Sequence, residues 1–314
     1  MRHRLEYWLV AGVIAVIRFA PWAVARAAGS TIGVLFYLFD APHRRIARDN
    51  LARAFPGRNA RECRMIARRV FIHFGRVLIE LLKVSTLEPA ELLKRIEFEG
   101  DERARQAYAQ GKGVIFFTGH FGYWELCGIV HALRVAPIGV LARPLDNPYL
   151  NTLLERVRQA TGNTVIYRRG AIRRVMRLLG ANQGVAMLID QHTLPPDAVP
   201  VDFFNRSAAA TSSLAALALR TGAPAIPVFA VPLGRGRYRV IYEHPVEAPP
   251  PGAPDAIREF MQRCTDVLEM YVRRHPDLWL WMHRRWRNGD AGEAVPGMFP
   301  AARRDADPAP PGER

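Results

Sequence analysis

Downstream of about residue 95 the chain becomes a series of short apolar runs, each separated from the next by a stretch with helical spacing. Val114-Ile115-Phe116-Phe117-Thr118 is the first and Ile138-Gly139-Val140-Leu141-Ala142 the second. Thr164-Val165-Ile166-Tyr167, Val185-Ala186-Met187-Leu188-Ile189 and Ala225-Ile226-Pro227-Val228-Phe229 follow, and Arg237 to Tyr242 adds a sixth. Runs this short and this apolar read as strands buried on both faces, which is the pattern of a parallel sheet covered by helices. Helices are expected at roughly 121–134, 148–161, 170–182 and 208–221, with a last one over about 254–275. The expected fold class is therefore α/β, an open and mainly parallel sheet with flanking helices.

The first third of the chain reads differently. Residues 43–83 look helical and amphipathic: Ile66, Val70, Phe74, Val77, Leu78 and Leu81 recur at helical spacing, while arginines from Arg44 to Arg69 decorate the remaining surface. Before them, Met1-Arg2-His3-Arg4 leads into an apolar run from Tyr7 to Ile17, interrupted by Arg18 and resuming to Ala25 across Pro21. A second apolar run covers Ile32 to Phe39. Neither is a clean span of some 18 uncharged residues. A cleaved signal peptide would fit the basic start and Ala23-Val24-Ala25, and a buried soluble helix would fit the length. A membrane anchor or half-embedded helix pair over residues 1–40 fits best, because Trp8 and Trp22 suit an interface and Arg18 can snorkel. The arginines next door are then expected to lie on an anionic membrane surface, with a solvated face as the alternative.

Composition narrows the function classes. The formal net charge is +15, from 44 basic and 29 acidic residues, which favours anionic partners. Nucleic acid is not expected: no helix-turn-helix, zinc-finger or RNA-binding motif is present, and the aromatics sit mostly inside apolar runs. A mean hydropathy of −0.06 excludes a polytopic membrane protein. Cys63, Cys127 and Cys264 form no C-x-x-C pair, so neither zinc nor a disulfide framework is indicated, and Cys127 reads as core packing. His192, His244, His275 and His283 are scattered without ligand spacing; no metal and no cofactor is expected.

The candidate chemistry lies in Gly119-His120-Phe121-Gly122-Tyr123-Trp124-Glu125, directly after the first strand. Functional groups of open α/β folds collect at the C-terminal ends of strands. His120 and Glu125 would point apart on one continuous helix, since five residues turn about 140° past a full circle. They can meet if His120 stays in a corner made by the two glycines and the helix begins near Phe121 or Gly122. Glu125 would then orient the imidazole, leaving the other nitrogen as general base for a substrate hydroxyl. No serine nucleophile is placed to intervene, so a direct transfer is expected.

Several ordered blocks extend this reading. Asn50-Leu51 with Ala54-Phe55-Pro56 comes first, then the Gly119 to Glu125 block, Arg143-Pro144 with Asn147-Pro148, and Asp190-Gln191. Phe203-Phe204, Ala210-Thr211, Thr221-Gly222-Ala223 and Trp281-Met282-His283-Arg284-Arg285-Trp286 close the series. In these blocks the chain resembles the bacterial lipid A late acyltransferases, the lauroyl and myristoyl transferases of lipopolysaccharide assembly. The resemblance implies a glycerolipid-acyltransferase-like fold, with residues 41–290 as the acyltransferase domain. It also implies acyl transfer from acyl carrier protein to a hydroxyl of a lipid A precursor at the cytoplasmic face of the inner membrane. Under it His120 is the base and Glu125 its orienting partner. Arg143 would bind a phosphate or the oxyanion, and Asp190 and Gln191 would shape the substrate site. The family's Asp-Gln-Asp-Tyr-Gly pattern is Asp190-Gln191-His192-Thr193-Leu194 here, so another glycolipid or a lysophospholipid stays open as acceptor. Arg168, Arg169, Arg173, Arg174 and Arg177 could meet the acidic carrier or simply face solvent. Residues 291–314, rich in Pro, Ala and charge, are expected to be a disordered tail.

Overall fold

A computed structural model describes residues 1–167 and 170–286; the expected tail and the pair Arg168 and Arg169 lie outside them. Four helices come first: α1 (Arg2–Phe19), α2 (Trp22–Phe39), α3 (Ala41–Ala54) and α4 (Ala60–Val84). The segment expected as one helix over 43–83 is thus two. Pro56-Gly57 ends the first, because proline supplies no N–H to continue it. Asn59 starts the second, accepting from the backbone of Arg61 and Glu62 while the Glu62 carboxylate receives the Asn59 N–H.

Helix α2 packs on α4 backbone to backbone. A Cβ on Gly33 would stand 2.3 Å from the Phe71 carbonyl oxygen, and one on Gly75 2.3 Å from that of Gly29. Only glycine permits so close an approach. The outer surfaces stay apolar: Leu5, Trp8, Leu9, Val16 and Phe19 on α1, and Leu35, Phe36, Leu38 and Phe39 on α2, are exposed. By length and composition α2 is sufficient to cross a membrane.

The sheet follows. A short α5 (Pro89–Leu93) precedes β1 (Ile96–Glu99) and α6 (Asp101–Tyr108). Then come β2 (Val114–Thr118), α7 (Trp124–Arg134), β3 (Ile138–Ala142), α8 (Pro148–Gln159), β4 (Thr164–Tyr167), α9 (Ala171–Gly180) and β5 (Gly184–Leu188). A hairpin of β6 (Ala198–Asp202) and β7 (Ser207–Thr211) leads to α10 (Ser213–Thr221), β8 (Ala225–Gly234), β9 (Arg237–Tyr242) and α11 (Ala256–Arg274). Seven strands form one sheet in the order β1-β9-β8-β2-β5-β3-β4, parallel throughout except at β8–β9. The chain is the expected α/β fold.

Alternation along each strand builds two cores. Ile115, Phe117, Val185 and Met187 meet α9, α10 and α11 on one face. Val114 and Phe116 meet α6 and α7 on the other. The helix expected over 208–221 begins only at Ser213; residues 207–211 pair instead with β6, Ala210 against Val199 and Ala208 against Val201. The alanines favour a helix by propensity, but burial beside Phe203 and Phe204 outweighs it. Strand β1, at the sheet edge, was not foreseen.

Candidate active site

Strands β2 and β5 are parallel neighbours with Thr118 opposite Leu188. Two residues beyond the end of each strand stand His120 and Asp190, so the register brings them together. His120 Nδ1 lies 2.8 Å from Asp190 Oδ1. Asp190 Oδ2 accepts the His120 backbone N–H at 2.7 Å and the indole N–H of Trp279 at 2.9 Å. A carboxylate only accepts, so Nδ1 carries the proton and Nε2 keeps its lone pair. The Gln191 amide nitrogen sits 3.4 Å from that Nε2.

The corner that carries His120 is bonded on several sides. Gly122 has φ +56°, and a Cβ there would stand 2.0 Å from the Ala230 carbonyl oxygen. Its N–H donates to the Leu278 carbonyl at 2.8 Å, and the next N–H, of Tyr123, donates to the Ala230 carbonyl at 2.9 Å. His73 Nε2 on α4 lies 3.2 Å from the Gly122 carbonyl oxygen. Burial pushes the His73 pKa down to about 4, so this imidazole is neutral and its N–H donates. The Leu280 N–H donates to the His120 carbonyl at 3.1 Å. Helix α7 therefore begins only at Trp124, later than the expected Phe121 or Gly122.

That late start changes the role expected of Glu125. In the first turn of α7 its carboxylate meets the Arg158 guanidinium of α8: Arg158 Nε donates to Oε2 at 2.9 Å and Nη2 to Oε1. The side chains are only 14% and 13% exposed. The hydrogen bond anticipated between Glu125 and the imidazole is made by Asp190 instead. Glu125 reaches His120 only through space. Burial by itself would lower the His120 pKa; the charge and hydrogen bond of Asp190, with a smaller contribution from Glu125, outweigh it and leave the pKa raised. Burial would raise the Asp190 pKa, but the imidazole and the N–H donors hold it down at about 2.

An apolar cavity opens between α7 and strands β2, β3 and β5, lined by Phe116, Ile129, Val140, Ala186, Met187 and Leu188 among others. Thr118, Glu125 and Arg158 are among the other residues that line it. Cys127 also lines it, with burial pushing its thiol up to about 12, which leaves an inert packing group. Arg143 is elsewhere: it follows β3 with a side chain 65% exposed, its guanidinium 3.8 Å from Asp146, and it does not line the cavity. Its loop is docked on α1, because Asn147 Nδ2 donates to the His3 carbonyl at 2.9 Å and to Glu6 Oε2 at 2.8 Å. Sequence reasoning missed Arg158, which reads there as one more helix arginine, and Trp279, for which nothing local signals a contact with Asp190.

A carboxylate-oriented imidazole thus stands at the C-terminal edge of a parallel sheet, close in sequence to the Thr118, Trp124 and Glu125 that line an apolar cavity. Comparison with known proteins identifies the class: the family described as bacterial lipid A biosynthesis acyltransferase matches residues 1–288, and the chain belongs to it. The protein is an acyltransferase. It is 26% identical over 295 residues to the lipid A biosynthesis lauroyltransferase of Escherichia coli K12, covering 93% of this chain and 94% of that protein. It is likewise 26% identical over 294 residues to the palmitoleoyltransferase of the same organism, covering 92% and 94%. A lipid A biosynthesis acyltransferase of Haemophilus influenzae is 23% identical over 289 residues, 91% of this chain and 89% of that protein.

Proposed function

We propose that this enzyme moves a fatty acyl chain from acyl carrier protein to a hydroxyl of a lipid A precursor, at the cytoplasmic face of a bacterial inner membrane. The observation that carries the chemistry is the His120–Asp190 pair. His120 Nε2 takes the proton of the acceptor hydroxyl as its oxygen attacks the thioester carbonyl. The carbonyl oxygen takes up the displaced electron pair, the tetrahedral intermediate collapses, the thiolate leaves, and the imidazolium returns the proton to it. Asp190 fixes the tautomer and offsets the imidazolium charge, the part first expected of Glu125. Glu125 adds to that field and holds Arg158 in place. The apolar lining of the cavity beneath α7 matches the chemistry of such a chain, and the names of the relatives support a lipid A precursor as the acceptor. Arg143, on its exposed loop, is assigned a phosphate of donor or acceptor. Gln191 is assigned to the acceptor side, beside Nε2.

The exposed apolar faces of α1 and α2, together with the arginines of α3 and α4, support binding to an anionic bilayer. The test is transfer in mixed micelles, with lauroyl groups offered on acyl carrier protein and on coenzyme A, and a lipid A precursor set against a lysophospholipid. Mass spectrometry should find acylated lipid A precursor made from the carrier-bound donor, and none with His120→Ala. Product formed only on the lysophospholipid would overturn the acceptor; undiminished turnover by folded His120→Ala would overturn the mechanism.

A further inference from the structure

The reaction needs a donor facing the acyl carbonyl oxygen, and the residues assigned so far leave that place open. Thr118 ends β2, two residues before His120, and is 8% exposed. Its backbone carbonyl accepts the Ile189 N–H at 3.0 Å, but its hydroxyl finds no hydrogen-bond partner among the described residues. Buried hydroxyls are normally bonded, and one that is not calls for an explanation. A strand threonine also lacks the carbonyl one turn back that a helical one can use. By strand alternation Thr118 faces the same side as Phe116, and it lines the apolar cavity together with Glu125 and Arg158.

We propose that Thr118 is a further catalytic residue, whose hydroxyl donates a hydrogen bond to the acyl carbonyl oxygen as negative charge builds on it. This rests on the reading of His120 as the base. With the chain in the cavity and the attacking hydroxyl at His120 Nε2, the carbonyl carbon is confined between them. Thr118, at the end of β2, is among the residues that line the cavity, and its hydroxyl is buried and unpaired beside it. When the acceptor oxygen bonds to that carbon, the carbonyl electron pair moves onto oxygen, and the Thr118 O–H is oriented toward it without giving up its proton. Collapse restores the carbonyl and expels the thiolate. The hydroxyl left unpaired in the resting protein is thus matched to a charge that exists only during the reaction.

Full-length wild type, Thr118→Val, Thr118→Ser and His120→Ala are compared in micelles with lauroyl carrier protein and lipid A precursor, with thermal unfolding alongside. Valine keeps the shape and removes the hydroxyl. Thr118→Val should lose about 100-fold in kcat with KM little changed. Its Tm should be unchanged or raised, because an unsatisfied buried polar group has been removed. Thr118→Ser should recover most of the rate. Near-normal kcat in Thr118→Val, a loss confined to KM, or a loss that tracks a lowered Tm and is shared by Thr118→Ser would each overturn the assignment. Thr118→Val active beside a dead His120→Ala sinks the Thr118 role alone, whereas an active His120→Ala sinks both readings.

Discussion

Asp190→Asn is the sharpest perturbation of this site, because the geometry dictates how the amide must sit. Asp190 Oδ2 receives two N–H donors, from the His120 backbone and from Trp279, while Oδ1 faces only His120 Nδ1. An asparagine carbonyl oxygen must therefore take the Oδ2 place, since the NH₂ group cannot face two donors. That turns the NH₂ group onto Nδ1, which must now accept. The proton moves to Nε2, and the base is lost through the wrong tautomer, with packing almost unchanged. The expected loss is about 10² to 10⁴ in rate, or about 3–5 kcal/mol of barrier. The pH profile adds a second readout. In the wild type the base must be neutral, and its pKa is raised, so activity should rise with pH through a midpoint above the usual histidine value. Without the carboxylate the main raising cause is gone, and burial outweighs the smaller contribution of Glu125, so the acid limb of any residual activity should move to lower pH. The assay is acyl transfer from carrier protein across pH 5 to 9, with circular dichroism to establish folding. Folded Asp190→Asn with near-normal kcat and an unmoved acid limb would refute the reasoning.

Other sites separate in the same assay. Glu125→Gln and Arg158→Ala each strand a largely buried partner, so each should destabilise by about 3 kcal/mol and slow transfer, while the double variant is little worse than either single one in thermal unfolding. Additive losses in that cycle would show that the two do not act as a pair. Arg143→Ala should raise KM and leave kcat nearly unchanged, because the loop lies outside the cavity; lysine should restore only part of the affinity. A fall in kcat alone would place Arg143 at the reacting carbonyl instead.

Much of the sheet was legible in the sequence because strands buried on both faces leave unbroken apolar runs. Strands β2, β3, β4 and β9 run over the residues read as strands. Strand β1 escaped because Ile96-Glu97-Phe98-Glu99 is a four-residue edge strand in which every second residue is charged. Strand β7 escaped because Ser207-Ala208-Ala209-Ala210 carries helix formers whose conformation is set by the β6 partner. At the site, His120 was legible from its place after a strand and between glycines. The identity of its partner was not. Whether Glu125 or Asp190 reaches Nδ1 depends on the starting residue of α7 and on the β2–β5 register. Both are set by long-range bonds: Gly122 to Leu278, Tyr123 to Ala230, Thr118 opposite Leu188.

The N-terminal helices take part in the same long-range bonding, and this bears on how the chain divides. His73, Glu80 and Lys83 lie on α4 at helical spacing, and each bonds outward to a different element. His73 bonds to the Gly122 carbonyl in the corner that carries His120. Glu80, 0% exposed, accepts from Tyr238 on β9 and, at 3.4 Å, from Arg26 on α2. Lys83 Nζ donates to the Ile17 carbonyl at 3.1 Å and the Ala20 carbonyl at 2.7 Å, closing the end of α1. Removing residues 1–40 therefore does more than remove the proposed membrane anchor. It takes the cation from a fully buried carboxylate, the acceptors from Lys83, and the glycine-packed face from α4. Losing one partner of a buried ion pair costs about 3–5 kcal/mol, a large fraction of the stability of a typical domain. The truncated chain should unfold at a lower temperature than the full chain in the same detergent and lose transfer activity there, where no bilayer is needed. The full-length Arg26→Ala variant should lose part of that stability while still fractionating with membranes, which separates the structural role of the helices from the proposed anchoring role. A truncated chain with the Tm and turnover of the full protein in detergent would show that the helices serve as an anchor alone.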